Sequence, residues 1–241
     1  MREEKRIVID TIVKEVGGRV PVIAGTAACS TMETILLSND AKEVGADALI
    51  VTPPYFFKLP DESLYEHYRI LSEQVDLPII VYNNPLYTGN NLNPELIDRL
   101  TDLKGIIGLK QSNSDLGQLV ESIRKSGEKM SICTGIDSQF YPALCAGAKG
   151  IFSTAASAIP KQMVQIYELV ESRKYEKAFK LHMKILPLNH LFEYDPGYVS
   201  PCKEALKFLG LPGGPVRKPL PDLTATEREA VKRALKALRL I

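Results

Sequence analysis

Short apolar runs recur along this chain at intervals of roughly 20 to 30 residues. They are VPVIAG (Val20 to Gly25), ALIVTPP (Ala48 to Pro54), PIIVYNNP (Pro78 to Pro85), IIGLKQS (Ile106 to Ser112), SICTGID (Ser131 to Asp137) and GIFSTAAS (Gly150 to Ser157). Each is rich in Val, Ile or small residues and lacks the polar alternation of a half-exposed strand. Such runs predict strands covered on both faces, as in a parallel sheet.

The intervening segments predict helices with readable starts. Ser30-Thr31-Met32-Glu33 has the pattern of a capping box. Asn93 before Pro94 reads as an N-cap followed by the first helical residue. Ser114 or Asp115 opens a helix through Arg124, and Pro160 opens one through Val170. The repeating unit is therefore strand, loop, helix, which parallel strands need for their crossovers. That unit belongs to an α/β fold of barrel or doubly wound type. Strand signals stop at Pro160. Lys161 to Gly210 and Thr224 to Leu240 read as helices, the second behind another capping box, Thr224 to Glu227. The expected organisation is βα units over residues 1–160 and helices over 161–241. A helix over Glu3 to Val16, with Ile7, Val8, Ile12 and Val13 on its apolar side, precedes the first predicted strand.

Composition removes several classes of function. The 241 residues carry 30 Lys and Arg against 29 Asp and Glu, for a net charge of +1. That balance offers no field for nucleic acid or an anionic membrane. No apolar run approaches the roughly 20 residues that span a bilayer, and from the charged start MREEKR no signal peptide is expected. The expected location is the cytoplasm. Cys29, Cys133, Cys145 and Cys202 fit neither a zinc pattern nor a disulfide framework, and are expected to be buried reduced thiols. No nucleotide-binding glycine motif occurs, and His67, His182 and His190 fall on predicted helices away from strand ends. No metal site is suggested.

In parallel α/β folds ligands gather beyond the carboxyl ends of the strands. Lys110 ends one predicted strand, directly after Gly105 to Leu109. A desolvated lysine amine is a Schiff-base nucleophile; a lysine reaching solvent, or pairing with Asp137 or Asp115, fits its position as well. Tyr82 ends the preceding strand. A phenol there can shuttle protons, or it can be a strand tyrosine whose hydroxyl is satisfied. The two together are more specific than either alone.

These residues carry a resemblance. The stretches RVPVIAGTAACSTMETILLSNDAKEVGADALIVTPPYFFKLPDESLYEHY, LPIIVYNNPLYTG, IIGLKQSNSDL, CTGID, GAKGIFSTAAS and PCKEALKFLGL resemble the dihydrodipicolinate synthase/N-acetylneuraminate lyase family in order and spacing over essentially the whole chain. The resemblance implies a TIM (β/α)8-type barrel with a C-terminal helical region. It implies a class I lyase or aldolase that binds pyruvate, or releases it from a 2-keto acid, through a lysine imine. No cofactor is implied, and a homo-oligomer, dimer or tetramer, is expected. Carried over by motif, Lys110 is the imine lysine and Tyr82 the proton-transfer tyrosine. Gly135 and Asp137 match the loop facing the substrate tail, and Phe152 and Ser153 match the strand segment lining the pocket. Asn83, Asn84, Tyr87 and Thr88, which follow Tyr82, are further expected substrate contacts.

Departures from the family pattern shape the expected substrate. Synthases place an arginine before Thr-Gly to hold a substrate carboxylate; here the position is Tyr87. A tyrosine offers one neutral hydrogen bond where arginine offers a charged, often bidentate one. The expected activity is therefore an aldolase of the 2-keto-3-deoxy sugar acid type, with 4-hydroxy-tetrahydrodipicolinate synthase as the alternative. Phe56 replaces a tyrosine that relays protons in some members. A GTTGE-like segment that holds the pyruvate carboxylate has no counterpart, so the barrel is expected to be shortened at its N-terminus to about six strands. An inactive family member is the alternative of another class.

Overall fold

The structure is a computed structural model that describes residues 1–193 and 198–241. The elements run α1 (Arg2–Val16), β1 (Ile23–Gly25), α2 (Thr31–Glu43), β2 (Ala48–Val51), α3 (Asp61–Gln74), β3 (Ile79–Asn83), α4 (Pro85–Thr88) and α5 (Pro94–Leu100). They continue with β4 (Ile106–Gln111), α6 (Leu116–Ser126), β5 (Ser131–Thr134), α7 (Phe140–Cys145), α8 (Pro160–Glu171), α9 (Tyr175–Glu193), α10 (Val199–Phe208) and α11 (Ala225–Ala237). Short 3-10 turns cover Asp137–Gln139 and Ala155–Ser157. The chain forms two compact units, Met1–Cys133 and Thr134–Ile241.

The first unit holds the parallel sheet, with strand order β1-β2-β3-β4-β5. Its buried side chains include Leu49, Leu64, Tyr68, Leu71, Ile79, Leu96, Ile97 and Leu109. The Tyr68 hydroxyl donates to the Val51 carbonyl at 3.0 Å and so pins α3 to the end of β2. Helix starts follow their caps: Ser30, Asn93 and Asp115 each accept a first-turn N–H. α1 ends on Gly17 at φ 55, a left-handed conformation that favours glycine. Its apolar side is largely open, with Ile7 and Val8 more than half exposed.

The second unit packs α7 to α11 around Phe140, Met163, Ile166, Ile185, Phe192, Ala205, Val231 and Leu235. The segment predicted as helices from Lys161 to Gly210 contains the greater part of α8 together with α9 and α10; its positions 194–197 lie outside the described residues.

Two expectations are corrected. The sixth predicted strand, Gly150 to Ser157, is reduced to a single parallel bridge between Thr134 and Ile151. The reason is local. The Asp137 carboxylate takes the Thr154 and Ala155 N–H groups at 3.2 and 3.0 Å, and the chain turns there instead of extending. The thiols are free, but only Cys202 is buried; Cys29 and Cys145 are exposed, in a loop and at the end of α7, and Cys133 is half-buried.

Candidate active site

β3 and β4 pair in parallel register with Tyr82 opposite Lys110 and Asn83 opposite Gln111. Successive side chains on a strand point to opposite faces. Tyr82 and Lys110 therefore share one face of the sheet, and Asn83 and Gln111 share the other. The Lys110 Nζ lies 3.9 Å from the centroid of the Tyr82 ring. A cation over a ring face at this distance is electrostatically attracted to it. The two residues that the sequence places at the ends of neighbouring strands are thus brought into contact, and both are half-buried.

The phenol is oriented by its own strand end. The Asn84 amide donates to the Tyr82 hydroxyl oxygen at 2.9 Å, and Asn84 is itself buried. With the oxygen accepting, the phenol's own proton is the one on offer. Tyr87 lies close enough for the Tyr82 charge to count. Partial burial and that charge raise the Tyr87 pKa above its ordinary value. Tyr87 is nonetheless mostly exposed. Thr88 is buried, and its hydroxyl closes the α4 turn by donating to the Asn84 carbonyl at 2.9 Å.

On the opposite face, Asn83 is fully buried and its polar atoms are engaged within the chain. Its Nδ2 donates to Asn91 Oδ1 and to the Leu92 carbonyl, both at 3.0 Å, and to Gln111 Oε1 at 3.1 Å. Its Oδ1 accepts the Leu92 N–H at 3.0 Å. Asn91 and Asn113 donate in turn to Gln118 Oε1 on α6, at 3.0 and 2.7 Å. The ends of β3 and β4 are locked to α6 and the loop before α5 by five side-chain amides. Sequence reasoning missed this brace. The clustering of Asn and Gln around residues 83–118 is its only signal, and nothing local says which amides meet.

In the second unit, Gly135 follows the end of β5. Asp137 opens the next turn and is buried, 1% exposed. Its carboxylate accepts from the Ser153 hydroxyl and from the Thr154 and Ala155 N–H groups. Ser153 Oγ also accepts the Ala156 N–H at 2.8 Å. Asp137 and Ser153 therefore fasten together the two loops that follow β5 and Ile151. Phe152 is half-buried, and its N–H donates to the Thr134 carbonyl at 3.0 Å. No cluster of three or more potential metal ligands occurs among the described residues. Among them, no helix is long and apolar enough to cross a membrane.

Comparison with known proteins follows the same lines. The model of the Dihydrodipicolinate synthetase family matches residues 1–238. The 4-hydroxy-tetrahydrodipicolinate synthase of Archaeoglobus fulgidus is 37% identical over 92% of this chain and 77% of its own length. Among solved structures, a monomeric dihydrodipicolinate synthase variant aligns with a TM-score of 0.95 at 32% identity, over 99% of this chain and 81% of that one. The chloride-inhibited, pyruvate-complexed dihydrodipicolinate synthase of Acinetobacter baumannii aligns with a TM-score of 0.94 at 34% identity, over 100% and 82%. The fold is thus α/β of the TIM-barrel type with a C-terminal helical region. The chain belongs to the dihydrodipicolinate synthetase family, whose members are pyruvate-dependent class I lyases working through a lysine Schiff base.

Proposed function

We propose that this protein joins pyruvate, held as an imine on Lys110, to a carboxylate-bearing aldehyde, in the manner of a 4-hydroxy-tetrahydrodipicolinate synthase. The observation that carries the reading is the Lys110–Tyr82 contact across paired strand ends. Relatives 35 to 38% identical and bearing that synthase name support the substrate pair.

The chemistry follows from the groups present. The Lys110 amine attacks the pyruvate ketone and forms a carbinolamine. Tyr82 donates its proton to the departing hydroxyl, water leaves and the imine forms. The imine draws electrons from the methyl carbon, which passes a proton to the Tyr82 phenolate to give an enamine, and the enamine attacks the aldehyde, whose oxygen takes that proton back. Water then releases the product and restores the amine. The imine itself is the electron sink, so these steps run on side chains alone. Bonds within the chain engage Asn83, Thr88, Asp137 and Ser153, and we assign them to holding the strand-end loops. Gly135 and Phe152 are assigned to the tail of the second substrate.

Tyr87 favours a second reading. Its neutral hydroxyl suits a polyhydroxylated chain, as in an aldolase for 2-keto-3-deoxy sugar acids. One pair of assays separates the two. Condensation of pyruvate with the aldehyde supports the synthase, and pyruvate release from the sugar acids supports the aldolase. The family resemblance also supports a homo-oligomer, dimer or tetramer, which sedimentation would distinguish from a monomer.

The imine is tested by adding borohydride with pyruvate and mapping the reduced adduct by mass spectrometry. The expected label is on Lys110, and Lys110→Ala abolishes it. Recovery of unmodified Lys110 under conditions that label a known aldolase would overturn the reading.

A further inference from the structure

Helix α9 carries His182, Asn189 and Glu193 on one side, at spacings of seven and four residues. His182 and Asn189 are buried, 4% and 0% exposed. Polar groups inside a packed core cost free energy unless they are bonded. Among the described residues, both side-chain amide atoms of Asn189 and one carboxylate oxygen of Glu193 are buried without a hydrogen-bond partner. The stripe is thus an expense to the fold.

Its bonded atoms converge on one residue. Glu193 Oε1 accepts the Ser138 N–H at 2.7 Å, and the His182 ring interacts with the Ser138 backbone. The Ser138 N–H lies in the first turn of Asp137–Gln139, where helical N–H groups have no partner of their own. Ser138 adjoins Asp137, which in turn holds Ser153, Thr154 and Ala155. A chain of bonds therefore leads from Glu193 through Ser138 and Asp137 to the segment around Phe152. Burial, with the nearby Asp137 charge, raises the Glu193 pKa above its ordinary value. A costly carboxylate kept at such a place points to use rather than to stability.

We infer that Glu193 is a positioning residue for the second substrate: through Ser138 it fixes the turn that carries Gly135 and Asp137, and through Asp137 the segment that carries Phe152. This rests on the proposal that these loops meet the substrate tail. Glu193 touches no reacting atom. Its loss should move recognition of the second substrate and leave imine formation alone.

The test compares Glu193→Met, which keeps length and removes the acceptor, with Glu193→Gln, which keeps an oxygen for the Ser138 N–H. E193M is expected to raise KM for the second substrate about tenfold, with kcat and pyruvate trapping at Lys110 within about twofold of the parent. Its melting temperature should not fall, because a buried, partly unbonded carboxylate is replaced by an apolar chain. E193Q should return KM to within about twofold. Parent-like KM in E193M overturns the inference, and so does equal impairment of E193M and E193Q. The Ser138 amide gives a readout independent of turnover: its hydrogen exchange should quicken about tenfold in E193M and stay slow in E193Q. If the parent itself gives no adduct at Lys110, the imine reading fails. Unchanged Ser138 exchange in E193M then still refutes the positioning role, and faster exchange still supports the bond on which it depends.

Discussion

His67 should make the protein acid-sensitive in a window set by one ring. It sits on α3, only 2% exposed, T-shaped against the Tyr68 ring at a centroid distance of 5.1 Å. Nδ1 shares a hydrogen with Thr31 Oγ1 at 2.9 Å, and Nε2 is buried without a partner among the described residues. Protonation would create a cation whose second N–H has nothing to receive it. Burial accordingly lowers the pKa from 6.5 to about 4. Above pH 6.5 the ring is neutral in both folded and unfolded chains, and its contribution does not vary. As pH falls from about 6.5 toward 4, the unfolded chain takes up a proton that the folded chain refuses, and stability is lost. At about 1.36 kcal/mol per pKa unit the full effect is about 3 kcal/mol. Roughly 2 kcal/mol of it should be gone by pH 5. His67→Asn keeps a polar atom near Thr31 and cannot titrate. Urea unfolding of both proteins at pH 7.5 and pH 5.0 is the assay. With a slope of roughly 3 kcal/mol per molar urea, the parent's midpoint should fall about 0.7 M further than that of H67N. Equal drops in the two proteins would refute the burial argument. Carboxylates such as Asp40, whose pKa Arg2 lowers, titrate alike in both proteins and cancel.

Other outcomes follow from the strand ends. Tyr82→Phe keeps the ring beneath Lys110 and removes the proton, so borohydride should still trap an adduct while turnover falls on the order of 10²-fold or more. Turnover equal to the parent's would exclude proton transfer by Tyr82. Gly108→Ala puts a methyl group 2.9 Å from the Ser131 carbonyl oxygen on the neighbouring strand, where backbone must give way. Chemical denaturation should show a loss of about 1–3 kcal/mol. An unchanged midpoint would mean that β4 and β5 can separate at no cost.

The sheet was legible because each strand is a compact apolar run bounded by Gly, Pro or Asn. Its limits were less so. β1 starts at Ile23 rather than Val20, since Pro21 has no N–H to give a ladder and Gly17 and Gly18 turn the chain just before it. The Gly150–Ser157 run has the composition of a strand, but a carboxylate 13 residues before it in sequence captures its amides. That competition between a side chain and a ladder leaves no mark on hydrophobic periodicity. The Lys110–Tyr82 pairing was readable, because both residues end adjacent strands of a parallel series. The amide brace and the Glu193 bond were not, because their partners, Asn91, Gln118 and Ser138, stand at separations from 8 to 55 residues with no regular spacing and are ordinary in type.

The brace behind Lys110 has one more consequence. Asn83, Asn91, Gln111, Asn113 and Gln118 are all neutral amides, and none of them gains or loses a proton over the range in which enzymes are assayed. Their bonds are short-ranged and do not depend on counterions, unlike the exposed ion pairs along the helices, such as Arg69 with Glu66 and Glu73. Salt and pH should therefore leave the scaffold beneath the lysine where it is. A pH or ionic-strength profile of imine formation on this protein would then report the reacting groups and not a drift of the strand ends beneath Lys110, so these strand ends carry their own internal reference.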